Sequence, residues 1–226
     1  MKESDYKRIV CETILRLAQG VQIDAASRLN ERHLHHAFSH LLQKLGLSLG
    51  VDGTPATLHP EWPTRKKGTG IWYTVYAKRE RRYLLDNPNI GRLSPGFLDF
   101  AIGEDYQKPL VGVEFTFKRT WDSEEITYDL MKLMDPVLPF ELSASLNVVH
   151  SWDRPDFVDR SGHLVKAYAE ARDRLVKTRG DFRIRELFFI LVAILGADRR
   201  RFWHLASEGD VQDGLPILSH NTRGAS

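Results

Sequence analysis

The segment Glu186–Leu195 constrains the fold most, because every residue after Glu186 is apolar. A run of this length, rich in Phe, Ile and Val, is typical of a strand that is buried on both faces of a sheet. Such a strand needs a covering layer on each side, and helices commonly supply both layers. We therefore expect an α/β protein with a central mixed β-sheet flanked by helices.

Hydrophobic spacing along the rest of the chain predicts the other elements of this fold. Helices are predicted over residues 4–20, 30–46, 124–134 and 162–177. Strands are predicted over residues 57–62, 96–102, 110–118, 142–151 and 186–195, with a polar segment after the last of them. We expect one domain, made of a helical extension at 1–27, a core at 28–152 with a basic and aromatic insertion at 64–94, and a C-terminal helix and strand at 160–205.

Composition narrows the class of protein. The 226 residues suffice for one sizeable domain, and a formal net charge of +2 gives no general affinity for nucleic acid. The single cysteine, Cys11, excludes an intramolecular disulfide and a cysteine-based zinc site. Because no apolar run reaches the ~20 residues of a membrane span, and Met1–Asp5 does not open a signal peptide, we expect a cytoplasmic protein without a membrane segment.

Two of the predicted strands each carry a lone carboxylate among apolar residues. Asp99 interrupts the run 97–102, and Glu114 interrupts the run 111–115. An ionised carboxylate in such a strand is costly unless it is hydrogen-bonded, paired or bound to a metal ion. Strand alternation places Glu114 and Lys118 on one face, and a hairpin would place Asp99 beside Glu114.

A divalent cation would relieve the repulsion between these two carboxylates. Oxygen ligands alone favour Mg²⁺, with Mn²⁺ as a substitute, over zinc. Such a cation polarises a phosphodiester and activates a water molecule, while a lysine offsets the charge that develops on phosphorus. The alternative is that the carboxylates pair with basic side chains such as Lys118 and stabilise the sheet.

The segments Ser94–Ile102 and Val113–Lys118 resemble the signature of the PD-(D/E)XK nuclease superfamily, which includes restriction enzymes and junction resolvases. The resemblance extends over about residues 28–152. It implies a restriction-endonuclease-like core of one helix, three strands, a second helix and a fourth strand.

The resemblance also implies roles for particular residues. Asp99 and Glu114 would coordinate the metal, and Glu31, in the helix before the sheet, would assist them. Asp129 and Lys132 match a polar pair that recurs in the helix after the third strand.

The lysine is the point at which the chain departs from the superfamily pattern. That lysine stands two residues after the acidic residue, where this chain has Thr116. Lys118 lies on the same face about 6–7 Å farther along the strand, and its long stem can reach back. Lys132 is an alternative source of the positive charge, and a third alternative is a protein that kept the fold and lost cleavage.

Basic and aromatic side chains are interleaved in the insertion at 64–94, which predicts contacts with a phosphate backbone and with bases. The expected nucleic-acid contacts are Arg65, Lys66, Lys67, Lys78, Arg79, Arg81 and Arg82. The alternative for this segment is a solvated helix face that covers the core.

Four further side chains belong to residue types that bind metal ions. His36 and His40 have the spacing of a helical zinc pair, but Ala37 stands where an HExxH motif has glutamate, which favours solvated histidines. His35 lies one helical turn after Glu31 and would line the same cleft. Glu61, in the first predicted strand, either approaches the metal or lies at the surface edge.

These features predict a Mg²⁺-dependent endonuclease that hydrolyses phosphodiester bonds in nucleic acid, with DNA the favoured substrate. The alternative is a catalytically inactive nuclease-fold protein that binds nucleic acid or a protein partner. RNA or a small phosphoester is a weaker alternative substrate. The sequence also permits a homodimer, which cutting of both strands would favour.

Overall fold

The computed structural model describes residues 1–21, 30–50, 54–63, 75–77, 82–84, 97–118, 123–151, 161–195, 199–205 and 209–216. The helices in this part of the chain are α1 (Glu3–Gly20), α2 (Glu31–Lys44), α3 (Ser123–Met134) and α4 (Ser161–Arg179). The strands are β1 (Leu58–Pro63), β2 (Val75–Ala77), β3 (Arg82–Leu84), β4 (Phe97–Ile102), β5 (Val111–Lys118), β6 (Leu142–Ser151), β7 (Glu186–Leu195), β8 (Arg199–Leu205) and β9 (Val211–Asp213).

Seven of the described strands form one mixed sheet in the order β1-β4-β5-β6-β7-β8-β9. β4 is antiparallel to both β1 and β5, whereas β6 is parallel to both β5 and β7. β8 and β9 extend the sheet by antiparallel pairing, and β2 pairs with β3 outside it. The α/β class and the central mixed sheet expected from the sequence are confirmed.

Helices cover both faces of this sheet. Ile14 of α1 and Phe38 of α2 belong to one buried apolar cluster, called here the α1/α2 layer. Leu130 of α3 and Leu164 of α4 belong to a second cluster on the opposite face, the α3/α4 layer. Side chains of β7 alternate between the two layers, as expected for a strand buried on both faces. None of the described helices is long and apolar enough to span a membrane.

The expectation of a polar segment after β7 was wrong, because the chain there adds β8 and β9 to the sheet. Trp203 and Leu205 of β8 are each 1% exposed and pack into the α3/α4 layer. Because β8 begins with three arginines, the segment has a polar pattern in the sequence, and the strand was not predicted. Arg200 donates hydrogen bonds to the carbonyl oxygens of Gln19 and Val21 at the end of α1, so it satisfies carbonyl groups that the helix leaves unpaired.

Candidate metal centre

The site begins where β4 separates from β5. The antiparallel ladder runs from Ile102 opposite Val111 to Phe100 opposite Val113 and then stops. The next facing residues are Asp99 and Glu114, as the predicted hairpin requires. Here Oδ2 of Asp99 accepts a hydrogen bond of 2.6 Å from the backbone N–H of Phe115. The Asp99 carboxylate therefore accepts a hydrogen bond from the backbone of β5 at the point where the ladder ends.

β4 changes faces at this same position. Phe100 and Ile102 pack in the α1/α2 layer, as alternation along a strand requires. Leu98 should share that face but packs in the α3/α4 layer. Asp99 thus lies where the strand crosses from one layer to the other, and its carboxylate meets α2.

The N-terminal turns of α2 supply two side chains that meet Asp99. The side chain of Asn30 accepts a hydrogen bond of 3.2 Å from the backbone N–H of His33, which caps the helix. Glu31 and His35 are four residues apart and therefore lie on one helical face. One ligand atom from each of Glu31, His35 and Asp99 lies within 4.8 Å of the other two. This set, called here the Glu31–His35–Asp99 cluster, has the size of a metal centre.

His35 has a ring nitrogen that suits a metal ligand. Its Nε2 lies 3.3 Å from Oδ2 of Asp99, yet it is buried without a hydrogen-bond partner. The imidazole packs against the rings of Phe100 and Phe115 at centroid distances of 5.5 and 5.6 Å. A buried nitrogen without an aligned hydrogen bond is costly, and coordination of a cation shared with Asp99 would satisfy it.

The electrostatics of the cluster also favour a cation. Burial raises the pKa of Glu31, and the neighbouring Asp99 carboxylate raises it further. Burial alone would lower the pKa of His35, but the nearby carboxylates of Asp99, Glu31 and Glu61 raise it overall. These directions indicate an excess of negative charge, which a divalent ion would neutralise.

Glu114 belongs to a different part of the site. It is 3% exposed, and its Oε1 accepts a hydrogen bond from Nζ of Lys132. Nζ of Lys132 also lies 3.3 Å from Oδ1 of Asp129, whose Oδ2 accepts a 2.7 Å hydrogen bond from Thr116. The fold therefore assembles a buried polar network of Glu114, Thr116, Asp129 and Lys132 between β5 and α3.

One lysine lies between two carboxylates in this network, so its positive charge offsets only one of the two negative charges. Burial raises the pKa of Glu114 well above its usual range, and Lys132 opposes that effect. Burial also raises the pKa of Asp129. Burial alone would lower the pKa of Lys132, but the two carboxylates raise it overall. The ammonium form of Lys132 is therefore strongly favoured.

The two candidate lysines have different surroundings. Nζ of Lys118 pairs with Oε1 of Glu125 at 2.8 Å, and its side chain is 38% exposed. Its charge also lowers the pKa of Glu31, which places it near the cluster. Lys132 is only 7% exposed at its side chain and contacts Glu114 directly. The lysine that contacts Glu114 is therefore Lys132 of α3, whereas the more exposed lysine is Lys118 of β5.

Most of the predicted nucleic-acid contacts lie outside the described residues, namely Arg65, Lys66, Lys67, Lys78, Arg79 and Arg81. Arg82 begins β3. His36 and His40 are exposed on α2 and do not belong to the metal-capable cluster. His35 was not among the expected ligands, although its spacing from Glu31 placed it in the same cleft.

Comparison with protein families, with curated proteins and with solved structures gives no match.

Proposed function

We propose that this protein is a metal-dependent nuclease whose cation binds at Glu31, His35 and Asp99, with nucleic acid as substrate and DNA as the favoured form. The observation that carries the proposal is the convergence of these three ligand atoms within 4.8 Å. The buried Nε2 of His35 supports it, because that atom has an ion-pair contact with Asp99 but no aligned hydrogen bond, and it has the chemistry of a metal ligand.

The donor set bears on the choice of cation. Two carboxylates and one imidazole suit Mn²⁺ as well as Mg²⁺, and the nitrogen donor shifts preference toward Mn²⁺. A cation held there would polarise a phosphoryl oxygen and lower the pKa of a coordinated water molecule. Asp99 is fixed for this role by the Phe115 N–H, and His35 is fixed by its aromatic neighbours.

The two lysines take separate roles in this proposal. Lys132 holds the Glu114 carboxylate in place and offsets its charge inside the core. Lys118 is accessible and electrostatically close to Glu31. A lysine in that position can offset the charge that develops on a phosphate during hydrolysis. Thr116, at the position of the superfamily lysine, instead fixes Asp129.

The order of elements supports a restriction-endonuclease-like core. α2 is followed by the antiparallel strands β1, β4 and β5, then by α3 and the parallel strand β6. This is the order of helix, three strands, helix and strand that the resemblance implies. The Glu31–His35–Asp99 cluster lies where β4 and β5 separate, and it contains Asp99, one of the two carboxylates that the signature names.

A second candidate is a nuclease-fold protein that binds nucleic acid without cleaving it. The burial of Lys132 between Glu114 and Asp129 favours this candidate, because that lysine is already committed to two carboxylates. Metal binding by the cluster would then hold a phosphate without activating water.

Cleavage assays on the full chain separate the two candidates. Supercoiled plasmid, single-stranded DNA and RNA are each incubated with Mg²⁺ or Mn²⁺, alongside Asp99→Asn and the control Asp173→Asn, which changes an exposed residue of α4. We expect wild type and Asp173→Asn to cut and Asp99→Asn to be inactive. Retained cutting by Asp99→Asn would overturn the site, and metal-dependent binding without product would favour the second candidate.

A further inference from the structure

Strand β1 also changes faces within its length. Leu58 packs in the α1/α2 layer, whereas Trp62 packs in the α3/α4 layer, although residues four apart in a strand share a face. Glu61 lies within this change and has a φ of 49°. Among the described residues, Glu61 is the only one with a positive φ that is not a glycine. Glycine would adopt this backbone without steric cost, so the presence of glutamate calls for a reason.

Glu61 lies opposite Asp99. Pro60 pairs with Phe100 and Trp62 pairs with Leu98, which leaves Glu61 and Asp99 as the unpaired residues between them. Edge strand β1 and its neighbour β4 therefore both change faces at this one facing position. The side chain of Glu61 is exposed, so solvent reaches its carboxylate.

The strand register brings Glu61 beside the cluster. It lies opposite Asp99, one of the three proposed ligands. Its oxygens are not part of the group of ligand atoms that lie within 4.8 Å of one another. Contact with the cation would therefore pass through a water molecule, and Mg²⁺ in proteins usually keeps several of its waters.

We propose that Glu61 is a positioning residue that holds a water ligand of the cation bound at Glu31, His35 and Asp99. This inference rests on the proposed metal site, but it does not require that the protein cleave nucleic acid. It explains why β1 adopts a left-handed backbone at a position where the strand could otherwise have used glycine. The carboxylate orients a water molecule from the solvent side of the site.

Mn²⁺ binding to the full chain tests this role. Isothermal titration calorimetry gives the dissociation constant, and water-proton relaxation reports the exchange of water on bound Mn²⁺. We expect Glu61→Gln to weaken Mn²⁺ binding about tenfold, as loss of an outer-shell partner does, and to alter the relaxation signal. Glu141→Gln, which changes an exposed carboxylate elsewhere, should match wild type in both.

Glu61→Gly separates the metal role from a structural one. Glycine accepts the positive φ, so the metal-free variant should melt at a higher temperature than wild type. The same variant should bind Mn²⁺ as weakly as Glu61→Gln, and its stability keeps the test valid if Glu61→Gln folds poorly. Wild-type affinity in the glycine variant, or no Mn²⁺ binding by wild type, would overturn the inference. Mn²⁺ binding without cleavage by wild type would remove the nuclease proposal alone.

Discussion

Nζ of Lys132 contacts Oε1 of Glu114 while lying 3.3 Å from Oδ1 of Asp129, so one buried ammonium serves two buried carboxylates. The same nitrogen donates to the carbonyl oxygen of Phe97 at 3.3 Å. Removal of Lys132 would leave both carboxylates buried without a counter-charge. Lys132 therefore joins α3 to β5 as well as neighbouring the candidate metal centre.

Replacement of Lys132 by methionine should strongly destabilise the fold. Loss of one partner of a buried ion pair costs about 3–5 kcal/mol, because the remaining charge stays buried. Urea denaturation of the full chain measures the free energy of unfolding. Lys118→Met is the matched control, since an exposed ion pair contributes roughly 0–1 kcal/mol. Equal stability of the two variants would contradict the network described for Lys132.

Mn²⁺ should stabilise the protein against heat more than Mg²⁺ does, because His35 supplies a nitrogen ligand. A cation present at 100 times its dissociation constant adds about 2.7 kcal/mol, equivalent to about 5–10 °C in melting temperature for a chain of this size. Thermal unfolding with each metal measures the shift. His35→Ala should lose most of the Mn²⁺ shift, whereas His36→Ala, which changes an exposed neighbour, should retain it.

An unchanged Mn²⁺ shift in His35→Ala would show that the imidazole is not a ligand. A larger shift with Mg²⁺ than with Mn²⁺ in wild type would argue for a site made of oxygen donors alone. Asp99 and Glu114 would then again be the expected pair of metal ligands.

The strands that carry the site were predictable because each lone carboxylate stands in an apolar run. That pattern placed Asp99 and Glu114 on two strands that pair in the sheet. It did not predict that the two carboxylates would have different partners. Alternation assumes a regular strand, whereas β4 changes faces between Phe100 and Leu98.

Partners that come from separate elements were harder to predict. Whether Lys118 or Lys132 reaches Glu114 depends on how closely α3 packs on β5, which strand spacing does not contain. The ring of His35 was placed in the right cleft by its spacing from Glu31. Its proposed role as a ligand rests on the buried Nε2 that lacks an aligned hydrogen bond, which only the packing of the folded chain reveals.

Gly112, near the start of β5, lies where a larger side chain would not fit. A Cβ on Gly112 would lie 2.8 Å from Cδ2 and Cε2 of Phe140, whose ring is buried. Gly112→Ala should therefore cost about 1–3 kcal/mol through overpacking, as measured by urea denaturation. Gly162→Ala, in α4 with no atom within 4 Å of the new Cβ, should be neutral or stabilising. Partial recovery in Gly112→Ala with Phe140→Leu would identify the clash as the cause.

The helix that carries Lys132 is joined to α4 by a buried ion pair. Nε and Nη2 of Arg179 donate to the two carboxylate oxygens of Asp135 at 3.1 and 2.8 Å, and the side chains are 6% and 0% exposed. Either Arg179→Met or Asp135→Asn should cost about 3–5 kcal/mol, because each removes one charge of a buried ion pair.

The double variant should be less destabilised than the sum of the two single variants, by about 0.5–3 kcal/mol, because the interaction between the two side chains is already lost in each single variant. Urea denaturation of all four proteins gives this coupling energy. The exposed pair of Arg8 and Glu12 in α1, 55% and 20% exposed at the side chains, provides the control cycle and should show weak coupling. Additive losses at Asp135 and Arg179 would contradict their direct pairing, and with it the proposed tie that holds α3 in position behind the site.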